Sequence, residues 1–206
     1  YILVFISIAS MILGAVAAIN QKNIKRLIAY SSISHMGYAI AGISTGTESG
    51  FKSTMIYILI YSAMNIGFFA FVFLMKRSGK YVEEINELSG ISKNHPLAAL
   101  SLLIVLFSLA GIPPLAGFFA KFYIFMSVIE SGMYTLAIIG LITTVVSAFY
   151  YIRIVKVMYF DNPKKPFENL KDYGIYGSLI FSSIFLASFF MYPSIFNEII
   201  SKINVF

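Results

Sequence analysis

Six apolar runs bounded by polar or charged clusters organise the chain, at about 1–19, 27–44, 53–75, 97–129, 134–152 and 173–193. Five of them approach the ~20 residues that an α-helix, rising ~1.5 Å per residue, needs to cross a hydrocarbon core of ~30 Å. The fourth is too long, since a straight helix over 97–129 would reach about 50 Å. It also contains Gly111-Ile112-Pro113-Pro114-Leu115-Ala116-Gly117, in which both prolines lack an N–H and clash with the preceding turn. The pattern therefore predicts two half-helices, 97–110 and 116–129, joined by a break at Gly111, Pro113, Pro114 and Gly117. The expected fold is an all-α integral membrane protein with six transmembrane helices, the fourth discontinuous.

Lys121 changes the picture from architecture to chemistry, because it is the only charged residue between Leu97 and Ile129. A lysine at the centre of a span costs about 3 kcal/mol on insertion scales, so its default reading is an ion or proton site. Counting about 1.5 Å per residue back from Glu130 places it roughly 13 Å inside the membrane, near the midplane. A buried pair with a carboxylate is the structural alternative, and no span of this chain carries an acid to supply it. A broken helix that carries a lysine has the character of transport machinery.

Composition agrees with the pattern. The 206 residues are 59% hydrophobic and 12% charged, with a mean hydropathy of +0.84, against roughly 25% charged residues in soluble domains. Without cysteine and with two histidines, the chain offers no disulfide, no thiolate for an iron–sulfur cluster and no dedicated metal site, so redox chemistry is expected elsewhere. The net charge of +6 reflects basic residues that border apolar spans. They act as topology signals, and no nucleic-acid module accompanies them.

The segments after spans one, three and five carry Lys22, Lys25 and Arg26; Lys76, Arg77, Lys80 and Lys93; and Arg153, Lys156, Lys164, Lys165 and Lys171. Only Lys52 and Lys202 lie on the other side. The positive-inside rule makes the first group cytoplasmic and places both termini, with the connections 45–52 and 130–133, outside. Arg153 and Lys156 are expected to snorkel from the end of the fifth span, and the loop through Pro163 and Pro166 to be an irregular surface connection. The chain opens on Tyr1 within an apolar run, with no initiator methionine and no basic region or cleavage site before it. The expectation is a fragment, or the tail of a split reading frame, without a signal peptide.

Ser31, His35 and Tyr38 fall at i, i+4 and i+7 of the second span, on one helical face. Two readings fit them: a hydrogen-bonded proton path, or a structural arrangement in which the serine bonds its own backbone and His35 meets one neighbouring helix. Tyr57, Tyr61 and Asn65 form a second stripe at i, i+4 and i+8, for which helix–helix packing is the simpler reading.

The run from Asn23 to Tyr38, Asn-Ile-Lys-Arg-Leu-Ile-Ala-Tyr-Ser-Ser-Ile-Ser-His-Met-Gly-Tyr, resembles a signature of the antiporter-like membrane subunits of respiratory NADH:quinone oxidoreductase, complex I. The segment Ser108 to Tyr123 resembles the broken helix of the same family, and Tyr150 to Phe160 continues the likeness in order and spacing. The resemblance covers essentially the whole chain. It implies fourteen spans built around two inverted five-helix repeats, with lysines along a polar axis at mid-membrane depth. Residue by residue, this chain resembles the second repeat, 1–158, followed by a cytoplasmic loop, 159–172, and a final helix and tail, 173–206.

By that resemblance Lys121 is the proton-transferring lysine of the second broken helix, on the exit side. Larger sister subunits carry His, His and Lys on the third span of this repeat. Here Tyr57, Tyr61 and Asn65 stand instead, which places the burden on Lys121 and leaves His35, Tyr61, Asn65 and water as candidate proton donors to it. The resemblance further implies a subunit in a bacterial inner membrane that binds no cofactor itself. NADH, flavin, iron–sulfur clusters and quinone belong to partner subunits, and its own partners are the other membrane-arm subunits, the N-terminal half of the same subunit and the lipid bilayer. A subunit of a multi-subunit sodium/proton antiporter or membrane-bound hydrogenase, and a non-transporting membrane scaffold, are the rival readings.

Overall fold

The computed structural model of the protein describes residues 1–77, 79–168 and 172–191; Lys171, Lys202 and the expected tail 194–206 lie outside the described residues. The helices form where the apolar runs lie, and side-chain caps at Asn23, Thr47 and Asp172 set the start of three of them. The first, α1, spans Ile2–Ile19. Helix α2, Ile24–Ser44, begins three residues before the apolar run, because Asn23 caps it by accepting hydrogen bonds from the N–H groups of Lys25 at 2.9 Å and Arg26 at 3.1 Å. Helix α3, Glu48–Leu74, also starts early. Thr47 accepts from Gly50 N at 3.1 Å, and Glu48 occupies the first turn, paired with Lys52 at 2.5 Å.

The fourth run divides as its prolines require. A short helix α4, Ile91–Asn94, leads into α5, Pro96–Ala110, and α6 follows at Ala116–Glu130. Both ends of the break lie within a residue of their expected positions. Gly111 closes α5 in the left-handed region, with φ 84°, and its N–H returns to Phe107 O and Ser108 O at 3.1 and 3.0 Å. The chain then passes through Pro113 and Pro114 to the cap residue Leu115.

Helix α7, Tyr134–Phe160, runs eight residues beyond its apolar stretch, and α8 covers Tyr173–Ser188. Arg153 therefore lies two turns inside a helix, and its guanidinium reaches the end of α1. Its guanidinium donates to Ile19 O at 2.7 Å and Gln21 O at 2.6 Å, clamping the last residue of α1 and the turn that follows it. Lys156 faces outward and pairs loosely with Asp161 at 3.8 Å.

Among the described residues, α1, α3 and α7 are long and apolar enough to cross a membrane by length and composition alone. Helix α1 packs on α2 and α7; α3 packs on α8, α6, α2 and α5; the two half-helices also meet α7 and α8. Helix–helix hydrogen bonds reinforce the packing, as from Ser7 Oγ to Gly37 O at 2.7 Å and from Ser182 Oγ to Ala63 O at 2.6 Å.

The described part of the loop after α7, 161–168, carries no regular element, as its prolines lead one to expect, whereas the loop after α3 folds into short elements. A short β-ribbon, β1 Lys76–Arg77 and β2 Lys80–Tyr81, and an isolated antiparallel bridge between Asn23 and Glu84 depart from the all-α pattern. Glu83 receives Lys25 Nζ at 2.6 Å and Asn23 Nδ2 at 2.8 Å, tying the ribbon to the start of α2. Glu87 joins the two loops through Lys164 Nζ at 2.7 Å and Arg77. These two cations hold the Glu87 carboxyl below the usual carboxylate range.

Candidate functional site

The break in the fourth run creates the ligands for its lysine. A helix leaves its last carbonyls without intrahelical donors, and α6 carries Lys121 back over the open end of α5. Lys121 Nζ donates to Leu109 O at 3.1 Å and Ala110 O at 3.3 Å, where the negative end of the helix dipole lies. The residue is 4% exposed. Among the described residues no carboxylate pairs with it.

Its other neighbour is aromatic. Nζ sits 5.1 Å from the centroid of the Tyr38 ring, within cation–π range. Tyr38 Oη meets Thr143 Oγ1 at 3.0 Å and receives Thr144 Oγ1 at 3.0 Å, both from α7. A mainly apolar cavity of about 290 Å³ opens between α6 and α7, with Lys121 and Thr144 among its lining residues.

Behind Tyr38 lies His35, in edge-to-face contact at 6.1 Å between ring centroids. Its Nδ1 is 2.7 Å from Tyr57 Oη on α3, and its Nε2 is 3.4 Å from Tyr151 Oη on α7. Tyr61 stacks on the imidazole at 4.8 Å. Tyr151 also hydrogen-bonds Ser31, so Ser31 reaches a neighbouring helix and His35 reaches two. Three helices thus converge on one buried imidazole, and the self-contained arrangement of serine and histidine is not what forms.

The fold matches known proteins in the same terms. Residues 1–147 match the profile of the family described as NADH:quinone oxidoreductase/Mrp antiporter, TM. The chain belongs to this family. It is 57% identical over 204 residues to NADH-quinone oxidoreductase subunit N of Pelagibacter ubique (strain HTCC1062), covering 99% of this chain and 43% of that protein. A chain of respiratory complex I from Thermus thermophilus with bound aureothin superposes with a TM-score of 0.78 at 27% identity, covering 94% of this chain and 44% of that one. A chain of the Mrp complex from Dietzia sp. DQ12-45-1b shares the fold alone, with a TM-score of 0.86 at 17% identity over 97% of this chain and 45% of its own length. This chain thus spans less than half the length of the proteins it matches. As a member of this transmembrane family, it is a multi-pass membrane protein.

Within this family fold the structure brings Ser31, His35, Tyr38 and Tyr61 into one buried array beside Lys121, and leaves Asn65 apart, its Oδ1 buried without a hydrogen bond. Tyr57, first read as packing, is the nearest hydrogen-bond partner of His35. Tyr151 and Thr143 did not emerge from the sequence as site residues, although a signal existed. Thr143, Ser147 and Tyr151 fall at i, i+4 and i+8, a polar stripe on an apolar helix, and all three are buried.

Proposed function

We propose that this chain is the C-terminal part of a proton-translocating membrane subunit of bacterial NADH:quinone oxidoreductase, similar to subunit N, and that Lys121 is its proton-carrying group. The observation that carries this reading is the environment of Nζ: two backbone carbonyls and an aromatic ring, with no carboxylate paired to it among the described residues. A carboxylate would fix the charge in place. Carbonyl oxygens accept a hydrogen bond from an ammonium or from a neutral amine, so both protonation states fit one pocket.

Protons reach this pocket along the His35 array. Imidazole passes a proton by taking one at the first nitrogen and releasing one from the second, and Tyr57 and Tyr151 stand at those two nitrogens. Tyr38 and the α6–α7 cavity, once hydrated, connect the array to Lys121. Electron transfer takes place in partner subunits that hold flavin, iron–sulfur clusters and quinone, and the redox energy alters the surroundings of the lysine. Residues 1–160, the expected unit 1–158 lengthened to the end of α7, act as a five-helix transporter unit, with 161–172 as a cytoplasmic loop and 173–206 as a final span and tail. The identity to subunit N, far above that to the Mrp chain, favours this assignment over a sodium/proton antiporter subunit.

His35→Gln in the complete subunit tests the path, because glutamine keeps hydrogen bonds to both tyrosines but cannot relay a proton. The number of protons moved per electron pair in vesicles is expected to fall, with NADH oxidation by artificial acceptors intact, if His35 acts as a proton relay. Wild-type stoichiometry would remove His35 from the path. The six-span topology makes a separate prediction: a single cysteine at position 165 reacts with membrane-impermeant reagents only after the cytoplasmic side is opened. Labelling from outside in intact cells would invert the topology.

A further inference from the structure

We propose that the ribbon β1–β2, the start of α2 and the end of α3 form a binding site for one anionic phospholipid, its phosphate held by Lys76 and Lys25 and its acyl chain lying along α3. Two ammonium groups converge on a single ring here. Lys76 Nζ is 4.7 Å and Lys25 Nζ 5.7 Å from the centroid of Tyr81. The ribbon register sets Lys76 directly opposite Tyr81, and Arg77 opposite Lys80. Like charges across a strand pair repel, and only part of this repulsion is answered within the protein. Arg77 is committed to Glu87 and Lys165 O, and Lys25 to Glu83, whose second oxygen takes Asn23. Lys76 and Lys80 have no carboxylate partner among the described residues.

Depth places this cluster at the level of lipid headgroups. Lys76 follows the end of α3 by two residues, and Lys25 lies in the first turn of α2. Tyr81, 51% exposed, is the amphipathic ring found at membrane interfaces. Beneath it, α3 presents Ile66, Phe69 and Phe73, exposed by 56, 39 and 49%. They fall at i, i+3 and i+7 and so form one apolar stripe that leads to Lys76. An apolar stripe ending in an aromatic ring and two cations, of which Lys76 has no carboxylate partner among the described residues, complements an acyl chain joined to a phosphodiester. A soluble anion would use the cations and leave the stripe unused. Basic clusters of this kind, next to a span, recognise anionic headgroups.

The test uses the complete subunit in its assembled complex, purified in detergent, stripped of lipid and titrated with phosphatidylglycerol, phosphatidylcholine or inorganic phosphate, with bound lipid read by mass spectrometry. One equivalent of phosphatidylglycerol is expected to bind the unmodified complex in preference to phosphatidylcholine, and excess inorganic phosphate should not displace it. In K25Q/K76Q this affinity should fall by roughly 10- to 30-fold, while K156Q/K165Q, which removes two cations elsewhere, leaves it unchanged. Equal affinity in K25Q/K76Q, equal binding of phosphatidylcholine, or displacement by inorganic phosphate would each overturn the proposal. Where the double variant does not assemble, K76Q alone decides by the same comparison, with a smaller expected shift.

Discussion

Replacing Lys121 by alanine in the complete subunit is expected to remove most proton translocation while leaving assembly, and electron transfer from NADH to artificial acceptors, largely intact. Two terms bear on folding. Alanine relieves the insertion cost of a central lysine, about 3 kcal/mol. Against that, Leu109 O and Ala110 O lose their donor, at about 1–3 kcal/mol for a buried acceptor left unsatisfied, less where water in the adjoining cavity substitutes. Two such acceptors offset or modestly exceed the relief, and water at them lowers the difference, so the variant should still assemble. Function has no such compensation, because Lys121 is the only charged residue between Leu97 and Ile129.

Lys121→Arg should pump no better, for a different reason. A guanidinium stays protonated and cannot cycle. It is also larger, in a pocket where Gly111 already approaches the lysine: a Cβ built on that glycine would lie 3.1 Å from Lys121 Cδ and 3.5 Å from Nζ. Protons translocated per electron pair in vesicles decide the matter. Wild-type stoichiometry and rate in Lys121→Ala would make the lysine structural.

Gly117→Ala, one methyl group on the same half-helix, is expected to do the opposite and prevent assembly. A Cβ at Gly117 would run into the backbone carbonyl of Ser108 on α5, at the place where Gly117 N donates to Ser108 Oγ at 3.0 Å. Backbone cannot move aside as a side chain can, and only residues 111–115 link the two half-helices. Separating them would carry Lys121 away from its carbonyls as well. Overpacking typically costs about 1–3 kcal/mol and more against backbone, a large share of a marginal stability. The amount of assembled complex on native gels and its thermal aggregation temperature measure this. Gly177→Ala is the control, since nothing lies within 4 Å of a Cβ there, and helix propensity makes it neutral or slightly stabilising. Normal levels and stability of Gly117→Ala would show that the half-helices are not held at this point.

Much of this architecture was legible in the order of residues, because its causes are local. A lipid core demands about 20 apolar residues per helix, and two adjacent prolines interrupt a helix whatever surrounds them. Hence the helical runs, the break between Gly111 and Gly117, and the isolation of Lys121 could all be stated from the chain alone. Local rules were weaker at helix ends. Caps at Asn23 and Thr47 extended α2 and α3 into polar sequence, and α7 continued through Arg153 to Phe160 although its apolar run stops earlier.

Only the tertiary structure decided which groups meet. Periodicity placed Ser31, His35 and Tyr38 on one face of α2, but it could not say that Tyr57 and Tyr151 would take the two nitrogens of His35, the latter 116 positions away. Nor could it tell Tyr57, which bonds the imidazole, from Asn65 two turns along the same stripe, whose Oδ1 bonds nothing. Arg153 has the composition of an interfacial anchor and became a clamp on α1 because the end of that helix happens to pack there. The physical reason is common to all of these. Helix formation and helix breaking depend on each residue and its near neighbours, whereas a hydrogen bond between helices depends on rotation and register, which the packing of the whole bundle sets.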